Sequence, residues 1–322
     1  MTESTSILDS PLRVLLLAGG PSAEREISIA SGAAVASALR KRGHQVTEYD
    51  PQDGTLDGIS ADQFDVAFIA LHGTFGEDGQ VQFLLEQLEL PFTGSDSIAS
   101  RMAISKIATK QTLIAHSLPT PPFSPIHPGE SAEAIRKKAS TIGYPLVIKP
   151  NSEGSSLGVT IVPSPLELPA ALSRCFHYGP DGLMENYING QEWTVGLIDS
   201  VVLPPVQIVS ARGFYDFEAK YASDETEYLF ATDTSPAILE TMQQIAIDAC
   251  EAIGTQGIVR VDFRLDRFGQ PWILELNTIP GMTSHSLIPK AAAQMGIGFE
   301  EVCERALQSA LHHHQLVVRP AA

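Results

Sequence analysis

Residues 12–17 (LRVLLL) form an unbroken apolar run, short enough for a strand buried on both faces. Gly19 and Gly20 follow, then a helical pattern with Ser22 as its expected N-cap. Ile27, Ala30, Ala34 and Ala38 supply the apolar spacing, and Arg40, Lys41 and Arg42 charge the last turn before Gly43. A second run, 65–70 (DVAFIA), leads into LHGTFGEDG and a helical stretch near 80–88. Strands alternating with helices predict a mainly parallel sheet. Residues 117–128 (SLPTPPFSPIHP) hold five of the 22 prolines and predict a linker or extended crossover with a domain boundary beside it. Strands are expected at 145–149, 157–162, 192–198 and 201–209. Residues 210–235 are polar and aromatic without a period, which predicts a long loop. A helix (236–252), a hairpin (258–276) and a terminal helix (298–311) complete the chain. His312–His314 read as a solvated tail, because consecutive residues do not share a helix face.

The hairpin carries the most specific local chemistry. In VRVDFRLD, Val259, Val261, Phe263 and Leu265 alternate with Arg260, Asp262, Arg264 and Asp266. In PWILELN, Trp272, Leu274 and Leu276 share one face, leaving Ile273, Glu275 and Asn277 on the other. With the turn at DRFGQ, Asp262 falls opposite Glu275. Like charges facing each other across a ladder are unfavourable unless a cation lies between them. Arg260 could serve, and so could a hard divalent cation, since two carboxylates and an amide offer oxygen ligands. On local grounds this reading and a solvated charged face are balanced. In KPNSEGSSLGV a strand delivers Lys149 ahead of a loop of small residues that could cradle phosphate oxygens, although an ordinary hairpin turn explains the same residues. GGPSAEREIS places glycines between a strand and a helix, but Glu24 and Glu26 in the first turn would compete with a phosphate, and the third glycine of a dinucleotide fingerprint is missing. A carboxylate there could instead hold an ammonium group. His72 and Glu77 lie at the carboxyl end of a predicted parallel strand, where open α/β sheets place ligands.

Composition narrows the classes. The 322 residues suffice for two or three domains, and 43% hydrophobic with 18% charged residues is globular rather than disordered. A net charge of −17 opposes binding to nucleic acid or anionic lipid. Cys175, Cys250 and Cys303 are too few and too scattered for a disulfide framework or a thiolate metal site, which predicts reduced thiols in the cytoplasm. Glu3 and Asp9 precede the first apolar run, so the N-terminus does not read as a signal peptide. No apolar stretch approaches the ~18 residues that span a bilayer.

In order, GGPSAEREIS, LHGTFGEDG, SKIATK, VIKPNSEGSSLGV, FYDFEAKY, VDFRLD and ELNTIPGMTSHSL resemble the D-alanine–D-alanine ligase family of ATP-grasp enzymes, from about residue 13 to about residue 310. The resemblance implies an open parallel-sheet α/β domain (1–115) followed by a two-domain ATP-grasp fold: a central domain (116–209) and a catalytic domain (210–322) with a lid at 210–235. It implies ATP-dependent ligation of two D-alanine molecules through an acyl phosphate, for peptidoglycan precursors, in a cytoplasmic homodimer. Asp262, Glu275 and Asn277 match the ligands of two Mg2+ ions, for which Mn2+ can substitute. Lys106, Lys149 and Lys220 match residues at the phosphates and reacting groups, Glu185 and Glu192 match nucleotide contacts, and Asn186 and Ile188 lie in the adenine-edge segment, Asn186 where relatives often carry lysine. Glu24 matches the residue that holds the first substrate's ammonium, with His72 and Glu77 beside it. Ser155 and Tyr221 match its partners across the closed site. Arg260 and the Gly281 N–H match an oxyanion site, and Ser286 and Leu287 match the second carboxylate pocket. The nearest alternative is a D-alanine–D-lactate or D-alanine–D-serine ligase, which shares the fold and differs mainly in the second-substrate pocket; Tyr221 within EAKY resembles the dipeptide-forming type, whereas lactate-forming relatives depart from that motif. A non-catalytic nucleotide-binding protein on the same scaffold is disfavoured because Asp262, Glu275, Asn277 and Arg260 are all present. A Rossmann oxidoreductase fails on the glycine spacing.

Overall fold

The structure, a computed structural model, describes residues 8, 10–210, 226–283 and 286–318. Its first sheet is parallel, in the order β2-β1-β3, from β1 (Arg13–Leu17), β2 (Gln45–Tyr49) and β3 (Val66–Ile69). Val14 and Leu16 pack with Val35 and Leu39 of α1 (Arg25–Lys41) and Leu307 of α9 (Phe299–Val318). Leu15 and Leu17 pack on the other side with Val81 and Leu85 of α2 (Gln80–Gln87), so the apolar run is a strand covered on both faces. β2 was not anticipated, because an edge strand with two exposed glutamine and glutamate positions shows no apolar run.

α1 buries a different stripe from the one its alanines predict. Ser28, Ser31, Gly32, Val35, Ala36, Ala38 and Leu39 face inward, while Ala30 is exposed. The reason is polar: Ser28 Oγ donates to the Ala70 carbonyl (2.7 Å) and accepts the Gly19 N–H (2.8 Å), which satisfies backbone groups at the strand ends. The N-cap is Glu24 rather than Ser22, whose hydroxyl instead donates to the His72 carbonyl at 2.6 Å.

α3 (Ser97–Ile104) and α4 (Lys106–Ala115) lead to an antiparallel sheet in the order β4-β7-β5-β6, from β4 (Phe123–Ile126), β5 (Leu146–Pro150), β6 (Thr160–Val162) and β7 (Gly182–Asn186). The proline-rich segment thus includes an edge strand, where Pro125 removes no ladder bond that the sheet needs. α5 (Ala132–Ile142) and α6 (Leu168–Tyr178) cover one face with Ile135, Ala139, Leu168 and Cys175.

The third sheet, in the order β11-β10-β8-β12-β13, takes in β8 (Gly190–Ile198), β10 (Val206–Ser210), β11 (Thr226–Leu229), β12 (Ile258–Asp266) and β13 (Pro271–Asn277), with β9 (Val201–Val202) paired to β8. α7 (Pro236–Ile253) packs beneath it through Met242, Ala246 and Ala249. The strand at Thr226–Leu229 corrects the reading of 210–235 as one unbroken loop. Its pairing to β10 supplies the order that its mixed composition did not signal. Residues 211–225 lie outside the described residues.

Asp262 pairs directly with Glu275, as the alternation predicts. A bulge then intervenes, so that Phe263 pairs with Ile273 and Leu274 is the extra residue. The bulge shifts the phase: Ile273 is fully buried in the core rather than on the charged face, and Leu274 lines the cleft described below. α8 (Leu287–Gln294) and α9 close the described chain. α9 runs through His312–His314, which therefore do not form a solvated tail. His313 Nε2 lies 3.6 Å from Asp199 Oδ1, an oxygen that also accepts Ser309 Oγ and the Gly257 N–H. No described helix is long and apolar enough to cross a membrane.

α9 is tied to the end of α1 by an almost solvent-free ion pair. Arg42 lies 3.0 Å from Glu304, with side-chain exposures of 6% and 0%. Glu304→Ala would strand the guanidinium without this counter-charge and is expected to cost roughly 3–5 kcal/mol. Glu301→Ala breaks only the half-exposed i,i+4 pair with Arg305 and is expected to cost less than about 0.5 kcal/mol. Urea unfolding of the two variants checks this, and equal shifts in midpoint would refute it.

Candidate active site

A cleft opens between the second and third sheets, lined among others by Lys106, Lys149, Glu185, Glu192, Asp262 and Glu275. Strand periodicity explains how the second sheet contributes. Val147 pairs with Glu185, and Lys149 lies two residues further along the same face, so all three reach the cleft. Leu146 and Ile148 point the opposite way into the core. Asn186, Tyr187 and Ile188 form one wall. The Asn186 amide donates to the Ile142 carbonyl (3.3 Å), and the N–H groups of Asn186 and Tyr187 go to Pro122 and Pro145. At Asn186 the cleft therefore meets backbone rather than a side-chain amide.

The cations are delivered from several elements. Ser105 caps α4 by accepting the Ala108 N–H, which makes Lys106 the first helical residue. A cation there opposes the helix dipole, an unfavourable placement that marks Lys106 for something other than helix stability. Lys106 Nζ donates to the Glu153 carbonyl (2.7 Å) and lies 3.3 Å from Glu275. Lys149 meets Glu185 at 2.6 Å, and Lys110, one turn beyond Lys106, meets the same carboxylate at 2.8 Å. Burial would raise the Glu185 carboxyl, but the charges of Lys110 and Lys149 outweigh it and hold it below the usual carboxylate range.

On the hairpin, Asp262 accepts from Arg260 Nε and NH2 (both 2.9 Å), Thr194 Oγ1 (2.7 Å) and Asn277 Nδ2 (3.1 Å). Thr194 is its partner across β8. Two residues on, Arg264 donates to the Gly190 carbonyl (2.9 Å) and lies 3.2 Å from Glu192. Asp262, Glu275 and Asn277 thus stand together at one end of the cleft and form a set of oxygen donors suited to a hard cation.

The other half of the site follows from topology. In the order β2-β1-β3, the loops leaving β1 and β3 diverge from a switch point, the position at which open parallel sheets hold ligands. The first loop is clamped by Asp50, which accepts the Gly20 N–H (2.9 Å) and pairs with Arg25. The Arg25 hydrogen bonds lower Asp50 to about 2, so the clamp stays ionised near neutrality. Glu24 then projects between the second loop and the 151–158 loop. A Cβ at Gly73 would lie 2.8 Å from Glu24 Oε2 and one at Gly154 3.0 Å away, so both loops approach this carboxylate closely. Ser155, with φ of 50°, donates its hydroxyl to Glu24.

His72 joins this region to the segment after β13. Its Nδ1 faces the Ile279 carbonyl (3.1 Å) and Glu77 (3.4 Å). In the neutral ring this nitrogen carries the proton, and Nε2 receives the Ser31 hydroxyl (3.2 Å), whose oxygen accepts the Met282 N–H. Gly281 sits against Ser286, whose Oγ accepts the Thr283 N–H at 3.0 Å, and Leu287 is buried in the adjoining core. A smaller cavity lined by Glu77, Lys106, Gly154, Glu275 and Asn277 joins the two halves.

Lys220 and Tyr221 lie outside the described residues. Lys106, Lys149, Glu185, Asn186, Ile188, Glu192, Asp262 and Glu275 line the cleft, Glu77 and Asn277 line the smaller cavity, and Glu24, Ser155, His72 and Arg260 join them through the contacts above, whereas Gly281, Ser286 and Leu287 line neither. Sequence reasoning missed Lys110, Thr194 and Arg264 as contributors. The i,i+4 relation of Lys106 and Lys110 in SKIATK, and the alternation that puts Arg264 on the charged face, were the available signals. The pairing of Thr194 with Asp262 spans 68 residues and left none.

Residues 113–308 match the family model described as D-ala D-ala ligase C-terminus, and residues 47–95 match D-ala D-ala ligase N-terminus. The chain is 44% identical to a D-alanine–D-alanine ligase of Alkalilimnicola ehrlichii, over 92% of this chain and 93% of that one. It is 40% identical to one of Gloeobacter violaceus, over 93% of this chain and the whole of that one. Among solved structures, the D-alanine–D-alanine ligase of Bacillus anthracis complexed with ATP superposes with a TM-score of 0.83 at 29% identity, covering 94% of this chain and 99% of that one. The enzyme from Coxiella burnetii shares the fold with a TM-score of 0.85 at 24% identity, covering 96% of each chain.

Glu77 provides a direct test of the geometry. Burial raises its carboxyl above the usual range, Glu24 adds to the rise, and His72 and Arg260 oppose it. A raised carboxyl contributes stability below its unfolded value and loses it as pH climbs through the folded one. Carbon-detected NMR titration should place Glu77 above ordinary glutamates. Glu24→Gln should bring it down and Arg260→Met should push it further up, and no movement in either variant would refute the arrangement.

Proposed function

The chain belongs to the D-alanine–D-alanine ligase family, and we propose that its cleft carries out the family's reaction with the residues placed above. ATP phosphorylates the carboxylate of one D-alanine, giving an acyl phosphate and ADP. The amino group of a second D-alanine attacks the acyl carbon, gives up a proton, and expels phosphate as the tetrahedral intermediate collapses. The product, D-alanyl-D-alanine, serves peptidoglycan precursor synthesis. The observation that carries this reading is the convergence in one cleft of two phosphate-directed lysines, Lys106 and Lys149, with the opposed carboxylates Asp262 and Glu275.

Each residue then has a task. Lys106 and Lys149 exchange their carboxylate partners for ATP phosphates, with Lys220 as a third cation from the lid. Glu192, braced by Arg264, faces the ribose, and Glu185, 2.6 Å from Lys149, is a second acid turned toward the nucleotide. The Asn186–Ile188 backbone reads the adenine edge. With the Asn186 and Tyr187 N–H groups already used, the Ile188 N–H is the donor offered to a ring nitrogen. Asp262, Glu275 and Asn277 would hold Mg2+ or Mn2+, which would supply positive charge to offset that of the phosphates. Glu24 grips the first ammonium, with His72 and Glu77 at its side and Ser155 and Tyr221 linking it across the closed site. Arg260 and the Gly281 N–H stabilise the developing oxyanion. Ser286 and Leu287 form the pocket for the second carboxylate. A lid over the acyl phosphate would exclude water, which otherwise hydrolyses it. The three sheets support a three-part division of the chain, with the hairpin's sheet also taking in Gly190–Ser210. A homodimer in the cytoplasm belongs to the same reading.

With Mg2+ and ATP, the protein should release phosphate when D-alanine is added and not when L-alanine replaces it. Equal release with both, or none with either, overturns the assignment. Glu275→Ala is expected to cut turnover by at least about 10²-fold with an unchanged far-UV spectrum. Loss of folding instead would make Glu275 a structural residue.

A further inference from the structure

Lys110 has no place in the reaction just described, yet it is one of the most completely enclosed cations in the molecule. It is 0% exposed, and its ammonium meets three separate segments of the chain. It lies 2.8 Å from Glu185 on β7 and donates to Thr120 Oγ1 in the proline segment at 2.6 Å. It also sits 5.6 Å above the Phe123 ring of β4. Thr120 passes the contact on by donating to the Ile273 carbonyl of β13 at 2.9 Å, beside the bulge that precedes Glu275. Burial lowers Lys110 to about 8 and Glu185 offsets part of that fall, so the side chain remains an ammonium at neutral pH. A buried cation is costly and is retained where a counter-charge and hydrogen bonds compensate it.

The significance lies in what Glu185 would do without it. Glu185 is buried and holds Lys149 at 2.6 Å. Were these two alone, the carboxylate would cancel the ammonium that has to meet ATP phosphates. Lys110 adds a second ammonium to the same carboxylate, which leaves the trio with a net single positive charge. We infer that Lys110 is a positioning residue for the phosphate end of the cleft: by taking a share of Glu185 it frees Lys149 to bind ATP. It does so from outside the cleft, since it is absent from the lining to which Lys149 and Glu185 both contribute. The inference rests on the ligase reading of that cleft.

Calorimetric titration with ATP and with adenosine tests it, with D-alanine absent. Lys110→Met keeps the apolar stem and removes the charge. It should weaken ATP binding roughly tenfold while adenosine, which lacks phosphates, changes by less than about twofold. The double variant Lys110→Met/Glu185→Gln removes both charges and should recover most of the lost ATP affinity, because Lys149 again acts alone. Additive losses in the double variant, or equal losses for ATP and adenosine, would make Lys110 a structural residue and overturn the inference. Should Lys110→Met fail to fold, Glu185→Gln decides: it should raise the ATP-to-adenosine affinity ratio, and a fall in that ratio overturns the proposal. Wild-type protein that binds no ATP would refute the ligase reading itself. Wild-type binding that Lys110→Met leaves unchanged refutes only the role of Lys110.

Discussion

Asp262 and Glu275 face each other across an antiparallel ladder, and the organisation of the site answers that repulsion. Two carboxylates in register destabilise a hairpin unless cations are brought to them. Asp262 takes Arg260 from its own strand and a hydroxyl from β8, while Glu275 takes Lys106 from the first turn of α4. Lys106 reaches it only because Ser105 and Asn151 fix the start of that helix: Asn151 accepts the Ile107 N–H and binds the Lys106 N–H through its carbonyl. Asn151 in turn begins the loop that carries Ser155 to Glu24. One unfavourable pairing thus organises a helix terminus, a loop and the approach of the parallel sheet's switch point.

The same hairpin shows how far sequence reaches. Alternation alone places Asp262 opposite Glu275, because strand period and turn position fix register over so short a distance. It fails two residues later, where the bulge turns Ile273 into the core and Leu274 toward the cleft; a bulge changes the phase without changing composition. The α1 face was misread for a related reason. Apolar spacing marks burial only in part, because Ser28 and Ser31 are buried to complete hydrogen bonds at strand ends and at His72. The 226–229 strand escaped notice because its order comes from pairing with β10 rather than from its own residues. Glu24, Lys149 and the hairpin acids were legible because their motifs are local. Thr194 was not, because its partner lies 68 residues away in the chain, and Lys110 left only its spacing from Lys106, since Glu185 lies 75 residues away.

A chain with a net charge of −17 that binds a polyanion is not a contradiction once charge is counted by place. Net charge governs encounter with large polyanions such as nucleic acid, which sample the whole surface. ATP samples one cleft, where Lys106, Lys149 and Arg264 line the walls together with the acids that hold them.

Those acids also explain why the cleft can be both folded and receptive. When a phosphate takes a lysine, the carboxylate that held the lysine loses a partner, and a buried carboxylate without donors is costly. The arrangement supplies a second donor in advance. Glu185 retains Lys110 if Lys149 turns to a phosphate. Asp262 retains Thr194 and Asn277 if Arg260 swings toward a developing oxyanion. Glu185 and Asp262 are therefore not left bare when a ligand takes one of their cations, and the cations gain a more highly charged partner. On this view, duplicated donors around Glu185 and Asp262, more than any single lysine, let an acidic protein keep a nucleotide cleft charged.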